Sequence, residues 1–134
     1  MTGAHVLRPG ERVGRYTIDR CLGVGGMGEV HLARSDTGEP RAIKVLSPRA
    51  RLRDDLAERF TREVQVLRSL EHVHVVRFFE AGQTERGGRQ ILWVALELLE
   101  GRTLREIIAS DAPVLADRII RLGRQIAQGV HEAH

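Results

Sequence analysis

Leu22-Gly23-Val24-Gly25-Gly26-Met27-Gly28-Glu29-Val30 is the stretch on which the fold turns. It contains a Gly-x-Gly-x-x-Gly pattern, which is weak by itself because fourteen glycines can produce one by accident. The residues after the third glycine discriminate between folds. A dinucleotide-binding fold opens a helix at that glycine and places an acidic residue about twenty positions later. Here Val30, Leu32 and Arg34 fall to one side, with His31 and Ala33 between them, which is the two-residue period of a strand. Upstream, Tyr16, Ile18 and Cys21-Leu22 also read as a strand. The glycines therefore sit in a hairpin between two strands. Without a Cβ, the backbone N–H groups of such a hairpin can approach the oxygens of an anion. A Walker-type loop is excluded, since no Gly-Lys-Ser/Thr occurs.

Outward from the hairpin, residues 1–15 read as a flexible lead-in. Ser35 to Pro40 is a turn, and Ala42-Ile43-Lys44-Val45-Leu46 is a third strand closed by Ser47-Pro48. From Asp54 to Leu70 the period changes. Leu56, Phe60, Val64, Leu67 and Leu70 form one helical stripe, and Asp54 and Asp55 suit a helix N-terminus. Val73–Phe79 and Ile91–Leu98 read as two further strands, joined through Gly87-Gly88. A linker at Glu100-Gly101 leads to a short helix, Leu104–Ala109. An amphipathic helix with Leu115, Ile119, Leu122, Ile126 and Val130 then runs to the end. The order predicts an α+β fold in which a five-stranded antiparallel sheet carries one helix and is followed by more helix.

The 134 residues fit one domain or a piece of one. An apolar share of 42% with 29% charged residues is the balance of a folded, soluble chain. The longest apolar run, Ile91–Leu96, is far too short for a membrane span, and Met1–Val13 lacks the apolar core of a signal peptide. Cys21 is the sole cysteine, which rules out an intramolecular disulfide and a Cys-based zinc cluster and fits a reducing, cytoplasmic setting. The pairs His72/His74 and His131/His134 have no acidic or Cys partner at hand, so no metal site is expected. A net charge of +3, with no run of four basic residues and no aromatics interleaved among them, argues against nucleic acid as a partner.

The basic residues hold one oddity. Twenty of the twenty-one are Arg, and the exception is Lys44. A site that needs a compact point charge cannot accept a wide planar fork. Lys44 lies on the third strand, next to the hairpin in a meander. Flanked by apolar residues, its ammonium needs an anionic partner. Glu63 supplies one, because it lies between Phe60 and Val64/Leu67 on the side of the helix expected to be buried.

Taken together, Leu22-Gly23-x-Gly25-Gly26-Met27-Gly28-Glu29-Val30, Ala42-Ile43-Lys44 and Arg62-Glu63 closely resemble the ATP-binding lobe of eukaryotic-like (Hanks-type) bacterial protein serine/threonine kinases. The step of nineteen residues from Lys44 to Glu63 fits that family, as does Leu70-Glu71-His72 before the fourth strand. Leu96 to Leu104 is similar to its hinge, and His131-Glu132-Ala133-His134 to the end of its helix E. The resemblance spans Tyr16 to His134. It implies a kinase N-lobe over 16–99 and, over 100–134, the hinge end and helices D and E of an incomplete C-lobe. It further implies that Leu22, Gly23, Gly25, Gly26 and Gly28 form a flap over the phosphates of ATP. Val30 and Ala42 would cover the adenine, and Lys44, held by Glu63, would contact the α- and β-phosphates. Leu96 would be the gatekeeper, the backbone of Glu97 and Leu99 would meet the adenine edge, and Leu67 and Phe78 would belong to an apolar spine. The partner implied is a protein bearing a Ser or Thr acceptor.

The sequence departs from that family in two places. Val73 stands where a proline is usual. More important, the chain contains no His-Arg-Asp and no Asp-Phe-Gly, so the residues expected to position the acceptor hydroxyl and hold Mg2+ belong to a C-lobe missing from this sequence. The expectation is an ATP-binding portion inactive alone. The alternative is a non-catalytic ATP-binding or scaffold module.

Overall fold

The structure, a computed structural model, describes residues 5–47 and 54–134. Residues 1–4 of the lead-in and the expected strand-ending Pro48 lie outside the described residues. Six strands form one antiparallel sheet: β1 (Arg12–Val13), β2 (Tyr16–Val24), β3 (Gly28–Arg34), β4 (Pro40–Leu46), β5 (Phe78–Arg86) and β6 (Arg89–Leu96). Their spatial order is β1-β2-β3-β4-β6-β5. Helix α1 (Asp54–Ser69) comes after β4, and α2 (Leu104–Asp111) and α3 (Ala116–Ala133) come after the sheet.

The expected count of five strands is thus corrected to six, and residues 7–13 of the expected lead-in pack against the sheet. Val13 pairs with Tyr16, and both Val13 and Leu7 are buried. The segment is fastened by long-range polar contacts that no local periodicity reveals. Gly10 N–H donates to Ile18 O at 2.7 Å, Arg86 reaches the Val6 carbonyl, and Arg86 pairs with Glu11 at 2.6 Å. Two strand boundaries also move. Residues 73–77 are not a strand, because His72 Nδ1 accepts the His74 N–H and Val75 N–H returns to His72 O, closing a turn with Val73 exposed. The last strand starts at Arg89 and ends at Leu96. Gly87 and Gly88, at φ 56° and 73°, make a two-residue hairpin that pairs Arg86 with Arg89.

The sheet has two unlike faces. On one, Val13, Tyr16, Ile18, Ala33, Ile43, Val45, Trp93 and Ala95 form a core covered by Leu7 and Val6. Trp93 packs edge-on to Tyr16 and donates its indole N–H to Thr84 Oγ1 at 3.1 Å. The other face packs against α1, where Phe60 joins Leu46 and Val94, with Leu56, Val64, Phe78 and Leu96 around them. Truncating Phe60 to Ala would cost about 3–5 kcal/mol through the cavity it leaves. Helix α1 starts on Asp54 and Asp55, as its macrodipole favours. Helix α2 begins with a reciprocal capping box between Thr103 and Glu106. Asp111 at its end is held by Arg102 at 2.8 Å and Arg118 at 2.9 Å. These contacts, with Ser110, hold its carboxyl well below the usual range. Helix α3 touches the rest of the chain at Gly129, where an added Cβ would lie 2.9 Å from His74 O. Its Ile119, Ile120, Ile126 and Val130 are exposed.

Tyr16 offers a direct check on this packing, since it is the sole tyrosine. Burial, then the Glu80 carboxylate facing its hydroxyl at 3.3 Å, push its phenol pKa up. A raised folded-state value favours the protonated form, so the stabilisation is complete below the unfolded pKa of about 10 and is lost as pH rises through the folded value. The phenolate absorbance of the folded protein should therefore appear at higher pH than in urea, and Glu80→Gln should close part of the gap. Equal midpoints in the folded and unfolded protein would contradict the burial.

Candidate functional site

The register of the sheet builds the site. Directly opposed residues of an antiparallel pair share a face, and Val30 opposes Lys44, which opposes Val94. One row further along, Leu32, Ala42, Leu96 and Phe78 are linked in the same way. Val30, Ala42, Lys44 and Leu96 therefore line one surface, on the face that α1 packs against. Their alternates Ile43 and Val45 are buried in the opposite core.

Lys44 Nζ donates to Glu63 Oε1 of α1 at 2.9 Å. The expectation that Glu63 is buried is corrected, because its side chain is 43% exposed and that of Lys44 25%. The pair opens on solvent along the same surface as Val30. An ion pair of this exposure is worth at most about 1 kcal/mol to stability. What it does is hold the ammonium in one place beneath the hairpin, with spare N–H donors.

The hairpin closes through reciprocal bonds between Gly25 and Gly28, at 2.8 and 3.3 Å. Its glycines divide into two kinds. Around Gly23 and Gly26 there is open space, and Gly25 has only Gly28 O at 4.0 Å. At Gly28, φ is 156° and an added Cβ would lie 1.9 Å from Val45 O. Gly28 is thus where the hairpin packs on β4, and the others leave its backbone accessible. Met27 fastens the tip, because its carbonyl accepts Ser47 N–H at 3.1 Å and its side chain packs on the Phe60 cluster. The sequence alone does not reveal this role, although Met27 is the one large flexible apolar side chain between Gly26 and Gly28. Leu22 sits on β2 at 41% exposure.

Beyond β6 the backbone of Glu97 is half engaged. Its N–H donates to Arg77 O at 2.9 Å, so its carbonyl is the group left to receive a donor from a ligand. Leu99 is exposed two residues on. Of the two spine residues, Phe78 packs with Leu96 on the Phe60 cluster, and Leu67 is half-buried on α1. The structure therefore brings Lys44, Glu63, Val30, Ala42 and Leu96 to one surface, bounded by the glycine hairpin at one end and the 97–99 backbone at the other. Such a surface offers an ammonium and free N–H groups to an anion, and an apolar slot with a polar edge to a flat ring.

Comparison with known proteins agrees with this geometry. The protein kinase domain model matches residues 16–134. Serine/threonine-protein kinase PknJ of Mycobacterium tuberculosis is 34% identical over 132 residues, which are 98% of this chain and 22% of the relative. Serine/threonine-protein kinase pkn2 of Myxococcus xanthus is 37% identical over 122 residues, 90% of this chain and 14% of the relative. Among solved structures, the kinase domain of M. tuberculosis PknI superposes with a TM-score of 0.80 at 30% identity, covering 96% of this chain and 51% of that one. The chain thus spans about a fifth of the curated relatives' length and about half of a solved kinase domain. With the match running from Tyr16 to the last residue, the chain belongs to the protein kinase family.

Proposed function

We propose that this chain is the ATP-binding portion of a protein serine/threonine kinase, which moves the γ-phosphoryl of ATP to a Ser or Thr hydroxyl of a protein. The observation that carries the reading is the Lys44–Glu63 pair at 2.9 Å, on the face shared with Val30 and beside the glycine hairpin. In this role Lys44 holds the α- and β-phosphates, and Glu63 fixes where its ammonium stands. The backbone N–H groups around Gly23, Gly25 and Gly26 close over the same phosphates, using the space that their missing Cβ atoms leave. Val30, Ala42 and Leu96 form the apolar walls for adenine. The Glu97 carbonyl accepts from its amino edge, and the Leu99 backbone completes that edge.

Phosphoryl transfer relies on positioning and on neutralising charge, and Mg2+ supplies much of the latter in this family. The sequence has neither Asp-Phe-Gly nor His-Arg-Asp, so no step through a metal and no proton transfer from the acceptor is assigned to these residues. Nothing in the geometry favours the non-catalytic scaffold alternative. The test is a nucleotide titration of the 134-residue chain. With one wall of the cleft supplied, ATP should bind with Kd on the order of 0.1–1 mM, about −4 to −5.5 kcal/mol. Lys44→Ala should abolish the saturable signal. Binding unchanged by Lys44→Ala would refute the site.

A further inference from the structure

The opposite face of the glycine hairpin carries a second cluster, unconnected with the nucleotide reading. Glu29 and His31 alternate with Val30 and therefore point away from Lys44. They are 7% and 1% exposed, the two buried polar residues among the described ones, on the face that carries the Trp93 core. Cys21 lies opposite His31 in the register, and the pairing shifts between Cys21 and Gly23. The N-terminal segment crosses over them, and Val6 N–H donates to Glu29 Oε2 at 3.0 Å.

The carboxylate of Glu29 is unevenly satisfied. Oε2 receives both Val6 N–H and His31 Nε2, the latter at 2.8 Å. Oε1 faces His5 Nδ1 at 3.5 Å, longer than a sound hydrogen bond. His31 Nδ1, on the far side of the ring, is buried without a partner among the described residues. A buried carboxylate needs a counter-charge, and the groups around this one are ligands more than counter-charges. A ring nitrogen of His5, Cys21 Sγ and a Glu29 carboxylate oxygen lie within 4.8 Å of one another. A tetrahedral zinc ion with bonds of about 2.0–2.3 Å has ligand–ligand edges of about 3.5 Å. The His5–Glu29 separation already has that value, and Cys21 needs to close by roughly 1 Å.

We propose that His5, Cys21 and Glu29 bind a zinc ion on the outer face of the glycine hairpin. Imidazole, thiolate and carboxylate are all zinc ligands, and the thiolate with the carboxylate balances the two positive charges in a partly buried place. Cys21 now donates its thiol only weakly, to Gly23 O at 3.5 Å and Val30 O at 3.7 Å, and it gives up that proton to the solvent on binding. His31 is a positioning residue, which orients Glu29 through Oε2 and leaves Oε1 for the metal. Three ligands leave one coordination position for water. The ion would clip the N-terminal segment to β2 and β3, next to Gly28. The residues are sixteen and eight positions apart, so no spacing motif announces them, and neither His pair noted in the sequence takes part.

The test titrates the untagged protein, reduced and near neutral pH, with Co2+ and then with Zn2+ against a chromophoric chelator. One equivalent of Co2+ should bind and give thiolate-to-metal absorption together with the intense visible bands of a tetrahedral centre, and Zn2+ should displace it. Cys21→Ser should remove the thiolate band, and both Cys21→Ser and His5→Ala should weaken Zn2+ at least about tenfold. Both residues have exposed or half-exposed side chains, so neither variant should fail to fold. His131→Ala, at a histidine outside the cluster, should bind as wild type does. Absence of stoichiometric binding, or binding that survives Cys21→Ser with its absorption unchanged, would overturn the proposal.

Discussion

Phosphoryl transfer by the kinase proposed above should fall on the order of a hundredfold when Lys44 is replaced by Arg, a loss of about 2.7 kcal/mol in transition-state stabilisation. The charge is kept, so the effect rests on shape. Lys44 stands on the sheet between Val30 and Val94 and delivers one compact ammonium 2.9 Å from Glu63. A guanidinium engages carboxylates through a wide planar fork. In the same slot it would turn that fork onto Glu63 and move its charge away from the phosphates. Glu63→Gln keeps a hydrogen-bond acceptor for the ammonium but loses the charge that fixes it, and it should cost about tenfold. Neither change should move the folding free energy by more than about 1 kcal/mol, because the pair is solvent-exposed. Loss of rate without loss of stability is therefore the signature to measure. An Arg variant within about threefold of wild type, below about 0.7 kcal/mol, would sink the role given to Lys44.

That pair also marks how far the sequence could be read. The β2–β3 hairpin was legible because its flanks alternate with period two. Glu63 was legible because a helical stripe fixes which residues of α1 look back at the sheet. Both signals are local. The exposure of Glu63 was not legible, since it depends on what covers the cleft and not on the helix that carries the residue. Nor was the place of residues 5–13. Pro9-Gly10 and scattered charges look like a linker. Leu7 and Val13 are nevertheless buried, and partners as distant as Glu29 and Arg86 hold the segment. The false strand at 73–77 has the same origin. Val73, Val75 and Val76 have high strand propensity, but the His72 side chain captures the backbone in a turn. Binary patterning located the sheet and the site, whereas contacts between residues far apart in the chain decided the edges.

The glycine run makes the sharpest division between packing and function, and it predicts opposite outcomes for residues two apart. Gly28→Ala should destabilise the fold by about 3–5 kcal/mol, combining the strain of a Gly-only backbone region with displacement of a paired strand. Its Cβ would stand 1.9 Å from the Val45 carbonyl oxygen and 3.0 Å from Ser47 N. Those are backbone atoms, fixed by the pairing of Gly28 with Leu46 and Glu29 with Val45, so they cannot swing aside as a flexible side chain would. For a chain of this size the midpoint of thermal unfolding should drop by about 10–20 °C. Gly26→Ala meets nothing within 4 Å and should change stability by less than about 0.5 kcal/mol. If the hairpin closes over phosphates, however, the added methyl group lies where the nucleotide must approach, and ATP affinity should weaken by a factor of about three to ten. Thermal unfolding and nucleotide titration of both variants separate the two roles. A Gly28→Ala protein that melts with wild type would show that the contact with Val45 yields easily. A Gly26→Ala protein that binds ATP as tightly as wild type would place the phosphates elsewhere than beneath the hairpin.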